Sequence, residues 1–108
     1  MGYVYLILQV SIEGDETYKI GITKNDPNKR VKQLSTGNSD KIQLLKHYES
    51  ENYLKVEKWM HRKYGSYKTE SKNEWFSLEP EHVISFLDDC KEADNNINFL
   101  LNNNPFYK

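Results

Sequence analysis

Four side chains spread between residues 5 and 57 carry the groups that phosphate-ester chemistry needs. Hydrolysis of a phosphodiester requires an activated water, stabilisation of extra negative charge on the phosphoryl oxygens, and help for the leaving oxygen. Glu57 can hold a hydrated Mg²⁺, and Arg30 can donate paired hydrogen bonds to non-bridging oxygens. Tyr5 can orient or deprotonate the water. Because a phenol has an ordinary pKa of about 10, it needs a nearby cation to act as a base, and Lys19 is the candidate.

A histidine accompanies the glutamate. His61 follows Glu57 by four residues, so both side chains project from one face of a helix and can serve one site. His61 is then a second metal ligand or a proton shuttle. The alternative is a surface role for both, and Arg30 can likewise be a solvated helix residue. We interpret His47 and His82 as structural, because neither has a comparable partner.

The hydropathy pattern predicts the elements that must position these residues. Residues 3–10 and 18–23 alternate in polarity and are separated by a polar loop, which predicts an antiparallel hairpin. Asp26 and Pro27 predict the start of a helix that runs to about Leu34 and ends near Gly37.

The second half of the chain continues the alternation of strands and helices. Residues 41–48 predict a strand with Ile42 and Leu44 facing inward, and residues 73–78 a short strand. Between them, Ser50 or Asn52 caps a second helix that runs to about Tyr64. Its expected buried stripe is Tyr53, Val56, Met60 and Tyr64.

A third predicted helix begins at Pro80 and precedes an asparagine-rich tail that either docks on the body or frays. The expected apolar positions of this helix are Val83, Ile84, Phe86, Leu87 and Cys90. The resulting order, β-β-α-β-α-β-α, predicts an α+β fold with a small sheet.

Composition and charge narrow the classes of function. A chain of 108 residues predicts one domain, and its formal net charge of -1 gives no hint of a polyanionic partner. The charges are unevenly spread, however. Residues 18–68 contain 12 Lys and Arg against 5 Asp and Glu, whereas the segments on either side are acidic. Such clustering is typical of phosphate contacts, although a solvated helix face has the same composition.

Apolar runs and cysteines exclude other classes. The longest apolar run, from Val4 to Leu8, is far shorter than the ~20 residues of a membrane span, and no signal peptide is evident. Cys90 is the single cysteine, which excludes a disulfide framework and a multi-cysteine zinc site. We therefore expect an intracellular protein, cytoplasmic or nuclear in a eukaryotic host, without membrane association.

Several short motifs resemble those of the GIY-YIG nuclease superfamily. The match is closest to its small phage- and virus-associated branch, in which the second motif reads Tyr-Lys-Ile-Gly and Glu-Trp-Phe follows the second helix. The matching residues are Tyr3-Val4-Tyr5, Tyr18-Lys19-Ile20-Gly21, Arg30, Glu57 with His61, and Glu74-Trp75-Phe76.

The resemblance implies metal-dependent hydrolysis of DNA on an α+β fold with a three-stranded antiparallel sheet flanked by helices. It assigns Tyr5 to the first motif, Ile20 and Gly21 to the end of the second, Arg30 to the helix arginine and Glu57 to the acidic metal ligand.

The sequence departs from the family pattern in its second motif. Lys19 occupies the place of a tyrosine, and Tyr18 lies one residue earlier, where a regular strand would point it toward the core. Either Lys19 takes over the role of the second tyrosine, or Tyr18 reaches the site through an irregular backbone. Leu34 stands where some members carry a histidine. Gly21 either relieves crowding or lets substrate approach closely.

We therefore expect a small DNA endonuclease that uses Mg²⁺, for which Mn²⁺ can substitute. Residues 1–79 form the nuclease module, and residues 80–108 form a C-terminal helix and tail on the same domain. No separate DNA-reading domain is visible, so a protein partner is one source of specificity, and we expect a monomer or a weak homodimer. The predicted site comprises catalytic Tyr5, Tyr18, Lys19, Arg30 and His61, the metal ligand Glu57, and nucleic-acid-binding Gly21, Lys24, Lys29, Lys32, Arg62 and Asn73.

Two alternatives remain open from the sequence. The chain can be a nucleic-acid-binding module that keeps the fold and has lost turnover, which the altered second motif favours. It can also be a viral or phage accessory domain that binds a protein through residues 80–108.

Overall fold

The chain forms four strands and three α-helices in a computed structural model that describes residues 1–36, 41–69 and 75–103. The α+β class is as predicted. In chain order the elements are β1 (Gly2–Val10), β2 (Glu16–Thr23), α1 (Pro27–Ser35), β3 (Lys41–Ser50), α2 (Tyr53–Lys63), a 3₁₀ turn (Gly65–Tyr67), β4 (Trp75–Phe76) and α3 (Pro80–Asn103).

The four strands make one antiparallel sheet in the order β3-β1-β2-β4. The resemblance implied a sheet of three strands, and the structure has four. The fourth strand is short and pairs Phe76 with Tyr18 and Trp75 with Lys19. Phe76 is completely buried, so this aromatic side chain anchors the extra strand to the edge of the sheet.

One face of the sheet forms the main hydrophobic core. Val4, Leu6 and Ile20 pack there against α2 and α3. The stripe predicted for the second helix is confirmed, because Tyr53, Val56, Met60 and Tyr64 are all buried in this core. Burial of that stripe sets the rotation of α2 about its own axis.

The other face carries Tyr5 and Ile7 of β1 beside Gly21 and Lys19 of β2, as the register of the two strands requires. Helix α1 packs against β1 and β3, and none of its described residues belongs to the main core. It therefore covers this second face. Its start is as predicted, since the Asp26 side chain accepts a hydrogen bond of 2.9 Å from the backbone N–H of Asn28. The expected end at Gly37 lies outside the described residues.

Gly21 makes room for the ring of Tyr5. The two residues are directly paired across β1 and β2, and Tyr5 is 1% exposed. A Cβ atom on Gly21 would lie 2.5 Å from Cζ and 2.9 Å from Cε1 of Tyr5. Relief of crowding therefore accounts for this glycine, because the space above it is filled by the protein's own side chain.

Strand β3 contains a bulge that changes which of its residues face the core. The register against β1 shifts between Leu6 and Ile7, so that Lys46 and Leu44 pair with consecutive residues and Leu45 is left over. As a result Leu45 packs against the main core with Tyr48. Leu44, which was expected to face inward, pairs with Ile7 on the second face of the sheet, because a single extra residue reverses the alternation.

Helix α3 is longer than its apolar pattern predicted and continues to Asn103. Its buried positions are Phe86, Cys90, Ala93 and Ile97, a stripe with helical spacing. Of the expected apolar positions of this helix, Ile84 is 78% exposed and Leu87 38% exposed. At 100° per residue, Ile84 lies on the opposite side of the helix from the buried stripe, and Leu87 lies at the edge of that stripe. The burial of Cys90 raises the pKa of its thiol to about 12.

The carboxylate of Asp94 ties α3 to the rest of the molecule. Its Oδ2 accepts hydrogen bonds from the Tyr48 hydroxyl at 2.8 Å and the Ser50 hydroxyl at 2.9 Å. Its Oδ1 accepts one of 2.8 Å from Nδ2 of Asn52, the residue that precedes α2. Burial, and then Asp94, raise the pKa of Tyr48 to about 12, so this phenol remains a donor at neutral pH.

The substitution Gly21→Ala should lower the free energy of unfolding by roughly 1–3 kcal/mol, because the new methyl group overlaps the ring of Tyr5. Gly65→Ala is the matched control, since a Cβ there meets no atom within 4 Å. We expect it to change the same quantity by less than about 1 kcal/mol. Urea denaturation measures both, and equal losses would contradict the packing described.

The substitution Asp94→Ala should cost roughly 2–4 kcal/mol, because three donors lose a charged acceptor. Asp88→Ala removes an exposed carboxylate from the same helix and should stay within about 0.5 kcal/mol of the parent. Thermal unfolding compares the two variants. A similar melting temperature for both would show that Asp94 does not hold α3 in place.

Candidate active site

An open cavity of about 280 Å³ lies along one flank of α2. Its described lining residues are Glu57, Lys58, His61, Arg62 and Lys68. The first four share neighbouring faces of one helix, and Lys68 comes from the segment that leads back to the sheet and bridges to Phe76. The cavity thus combines one carboxylate and one imidazole with three cations.

The imidazole of His61 is held in a defined orientation. Its Nε2 lies 2.8 Å from the backbone carbonyl oxygen of Ile20. Since a carbonyl oxygen only accepts, Nε2 carries a proton and donates. The ring also contacts Phe76 edge-on, with 5.1 Å between centroids. The nitrogen left for chemistry is therefore Nδ1, which is available to hold a proton or a ligand when the ring is neutral.

The position of Glu57 follows from the burial of its neighbours. Val56 and Met60 point into the core, so Glu57 and His61 lie at the border of the buried stripe, beside β2. Glu57 is half-buried. The sequence spacing predicted that these two residues share one site, and the structure brings both to the same cavity.

A second group of predicted residues lies on the other face of the sheet. Tyr5, Gly21 and Lys19 are neighbours there through the pairing of β1 with β2. Lys19 is only 9% exposed, and its Nζ lies 5.8 Å from the ring centroid of Trp75. Ile20, which lies between Lys19 and Gly21, accepts the hydrogen bond from His61. The two groups therefore meet at β2, one on each side of it.

Tyr18 lies on the opposite face from Tyr5. The ladder between β1 and β2 is regular from end to end, and Tyr18 packs against the main core beside Leu8 and Phe76. Burial, and then Glu16, raise the pKa of its phenol. That shift leaves less of Tyr18 at neutral pH in the phenolate form that could act as a base. The second motif left open whether Lys19 or Tyr18 reaches the site. In the structure, Lys19 lies on the same face of the sheet as Tyr5, and Tyr18 lies on the opposite face.

Arg30 lies on α1, the helix that covers the face of Tyr5. It is half-buried, and its Nη1 donates a long hydrogen bond of 3.4 Å to Oε1 of Gln33. The predicted phosphate-binding lysines of this region are exposed: Lys24, Lys29 and Lys32. Asn73 lies outside the described residues, so its predicted role in nucleic-acid binding remains a prediction.

The structure places His47 beside Tyr5, a neighbour that the sequence did not predict. It pairs directly with Tyr5 across β1 and β3, is exposed, and contacts Tyr3 edge-on at 5.9 Å. Glu49, which pairs with Tyr3, raises the pKa of the Tyr3 phenol through a hydrogen bond. The sequence signal was weak, because the side of the sheet on which His47 lies depends on the bulge in β3.

The donor set of the cavity suits a hydrated magnesium ion. Among residues 1–36, 41–69 and 75–103, no three His, Cys, Asp or Glu side chains form a cluster that could hold a metal. Mg²⁺ needs no such cluster, because it usually keeps several waters and binds one or two carboxylates together with substrate phosphates. Glu57 is a carboxylate of this kind, half-buried on the wall of an open cavity.

The charges in the cavity favour a phosphate. Lys58, Arg62 and Lys68 oppose one carboxylate, so the described lining has a net positive charge. An arginine can donate two parallel hydrogen bonds to phosphate oxygens, and lysines add point charges. The arrangement can bind a phosphodiester, hold a metal against it through Glu57, and place an imidazole beside both.

Comparison with known proteins agrees with these features. The sequence matches the T5orf172 domain family over residues 2–96, which is most of the chain. No curated protein and no solved structure matches it. None of the described helices combines the length and the apolar character that crossing a bilayer would demand. The chain therefore belongs to the T5orf172 domain family, whose members are phage-associated and nuclease-like.

Proposed function

We propose that the protein is a metal-dependent endonuclease that hydrolyses phosphodiester bonds in DNA. The observation that carries the proposal is the cavity on α2, where Glu57 and His61 lie among three cations. Membership of a nuclease-like family supports the same reaction class. The motifs shared with the GIY-YIG superfamily point in the same direction.

Each side chain of the cavity has a distinct part in this proposal. Lys58, Arg62 and Lys68 bind the phosphate and balance the charge that develops on its oxygens. Glu57 would hold Mg²⁺, or Mn²⁺ in its place, through its carboxylate, and the bound ion would supply Lewis acidity and lower the pKa of a water.

His61 is the candidate proton carrier in the cavity. With Nε2 donating to the Ile20 carbonyl, Nδ1 can accept a proton from the water that attacks the phosphorus and pass it to the oxygen that leaves.

The group on the other face of the sheet supports the site from the far side of β2. Tyr5 is 1% exposed, so it forms an inner wall with Lys19 and does not meet bulk solvent. Arg30 and the exposed lysines of α1 supply positive charge on this side, where DNA leaving the cavity would continue. A protein partner remains the proposed source of sequence specificity.

A second candidate function is nucleic-acid binding without turnover. It is favoured by the burial of Tyr5 and by Lys19 in the place of the second tyrosine of the resembled family. Both candidates require the same cationic surface, and they differ only in whether a phosphodiester is broken.

Nicking of supercoiled plasmid DNA tests the proposal. The protein should convert plasmid to the open circle with Mg²⁺ or Mn²⁺ and not with EDTA. Glu57→Gln should reduce the rate at least about 100-fold, because it removes the carboxylate that holds the metal. Arg30→Ala should also reduce the rate. Glu92→Gln changes an exposed glutamate on α3, outside the cavity, and should cleave like the parent.

Unchanged cleavage by Glu57→Gln would overturn the assignment of the metal ligand. Salt-sensitive DNA binding by the parent without any nicking would instead establish the second candidate. The Gln variant should retain DNA binding in either case, since the phosphate contacts come from cationic residues.

A further inference from the structure

A second cavity lies on the other side of the same helix, where α2 faces the C-terminal half of α3. It has a volume of about 290 Å³, and its described lining is Lys55, Lys58, Trp59, Arg62, Ile97 and Leu100. Unlike the cavity that contains Glu57, it combines cations with a broad apolar wall. We call it the Trp59 groove.

The Trp59 groove and the candidate active site share a boundary. Lys58 and Arg62 line both cavities. They are four residues apart on α2, so their side chains form a short cationic ridge, with Cβ atoms about 5–6 Å apart. A polyanion bound at this ridge has the Glu57 cavity on one side and the Trp59 groove on the other.

The indole of Trp59 is held ready to contact a ligand. It packs against the main core on one side and is half-buried. It lines the groove with Ile97 and Leu100, and it also lines a neighbouring cavity of about 290 Å³ with Arg62 and Lys63. A packed indole loses little conformational freedom on binding, which favours stacking of a planar group against it.

The chemistry of the groove selects one kind of ligand. Cations that follow a backbone of phosphates, next to an aromatic ring, are the arrangement by which proteins bind single-stranded nucleic acid. In a duplex the faces of the bases are covered by their neighbours, so only an unpaired base can stack on a side chain.

We propose that the Trp59 groove binds an unpaired nucleotide of DNA, stacked on Trp59, directly beside the phosphate that occupies the Glu57 cavity. The inference rests on the proposed function for the occupant of that cavity, and it adds the class of substrate: DNA with a single-stranded segment next to the cleaved bond. Lys55 contacts the phosphate on the far side of the base.

Fluorescence of Trp59 tests the proposal without any cleavage. The chain has two tryptophans, so the full-length Trp75→Phe variant leaves Trp59 as the only indole. In EDTA, single-stranded oligothymidylate of about ten nucleotides should quench its emission. A blunt duplex of the same length should quench it far less, because its bases are already stacked.

Two further substitutions in the Trp75→Phe variant separate the contribution of base stacking to DNA binding from the contribution of charge. Trp59→Leu, followed by anisotropy of a labelled oligothymidylate, should weaken binding about 5-fold or more. Lys55→Gln, which changes a residue of the groove outside the described lining of the Glu57 cavity, should weaken binding several-fold and reduce the slope of log K against log salt by about 0.7. Lys91→Gln removes an exposed lysine of α3 outside the groove and should change neither value.

The outcomes distinguish this inference from the nuclease proposal. Absence of quenching by single-stranded DNA, or equal quenching by duplex, would overturn the Trp59 groove even if plasmid is nicked. Quenching by single-stranded DNA in a parent protein that never nicks plasmid would support the groove and refute the nuclease. If Trp59→Leu fails to fold, the test depends on Lys55→Gln. An affinity and a salt slope equal to those of the parent would then refute the inference.

Discussion

The packing of α2 against the sheet determines most of what this protein presents to its surroundings. Val56 and Met60 are completely buried, which leaves the helix one allowed rotation. At that rotation, Glu57 and His61 lie beside β2, and Lys58 and Arg62 project between two cavities. An amphipathic stripe thus positions a carboxylate, an imidazole and a cationic ridge, because a helix repeats every 3.6 residues and its faces cannot move independently.

The helices and the first hairpin could be predicted from the sequence because their signals are local. Asp26 with Pro27 marks the start of α1, and the spacing of Tyr53, Val56, Met60 and Tyr64 marks the buried face of α2. Pairing between strands distant in sequence has no such local signal. The bulge in β3 and the pairing of β4 with β2 arise from tertiary packing, and with them the positions of His47 and Trp75.

The candidate site was therefore only partly predictable. The i,i+4 spacing was enough to join Glu57 with His61, and the alternation of β2 was enough to separate Lys19 from Tyr18. The partner of His61, a backbone carbonyl of Ile20, leaves no trace in residue types. The cations Arg62 and Lys63 also lie in the last turn of α2, where positive charge stabilises the negative end of the helix dipole. Positive charge here thus has a role in folding as well as in binding.

The hydrogen bonds of Asp94 have a consequence for how ligand binding and folding are linked. Asp94 and, one turn later, Asn98 tie α3 by hydrogen bonds to the end of β3 and to Asn52, and Ile97 and Leu100 lie along the same stretch of the helix. One wall of the Trp59 groove is therefore built from the part of α3 that depends on this attachment. Any molecule that binds the groove also stabilises the docked helix, by a free energy that increases with the ratio of its concentration to its Kd. Occupancy of the groove and protection of the C-terminal helix from local unfolding are thus one coupled equilibrium.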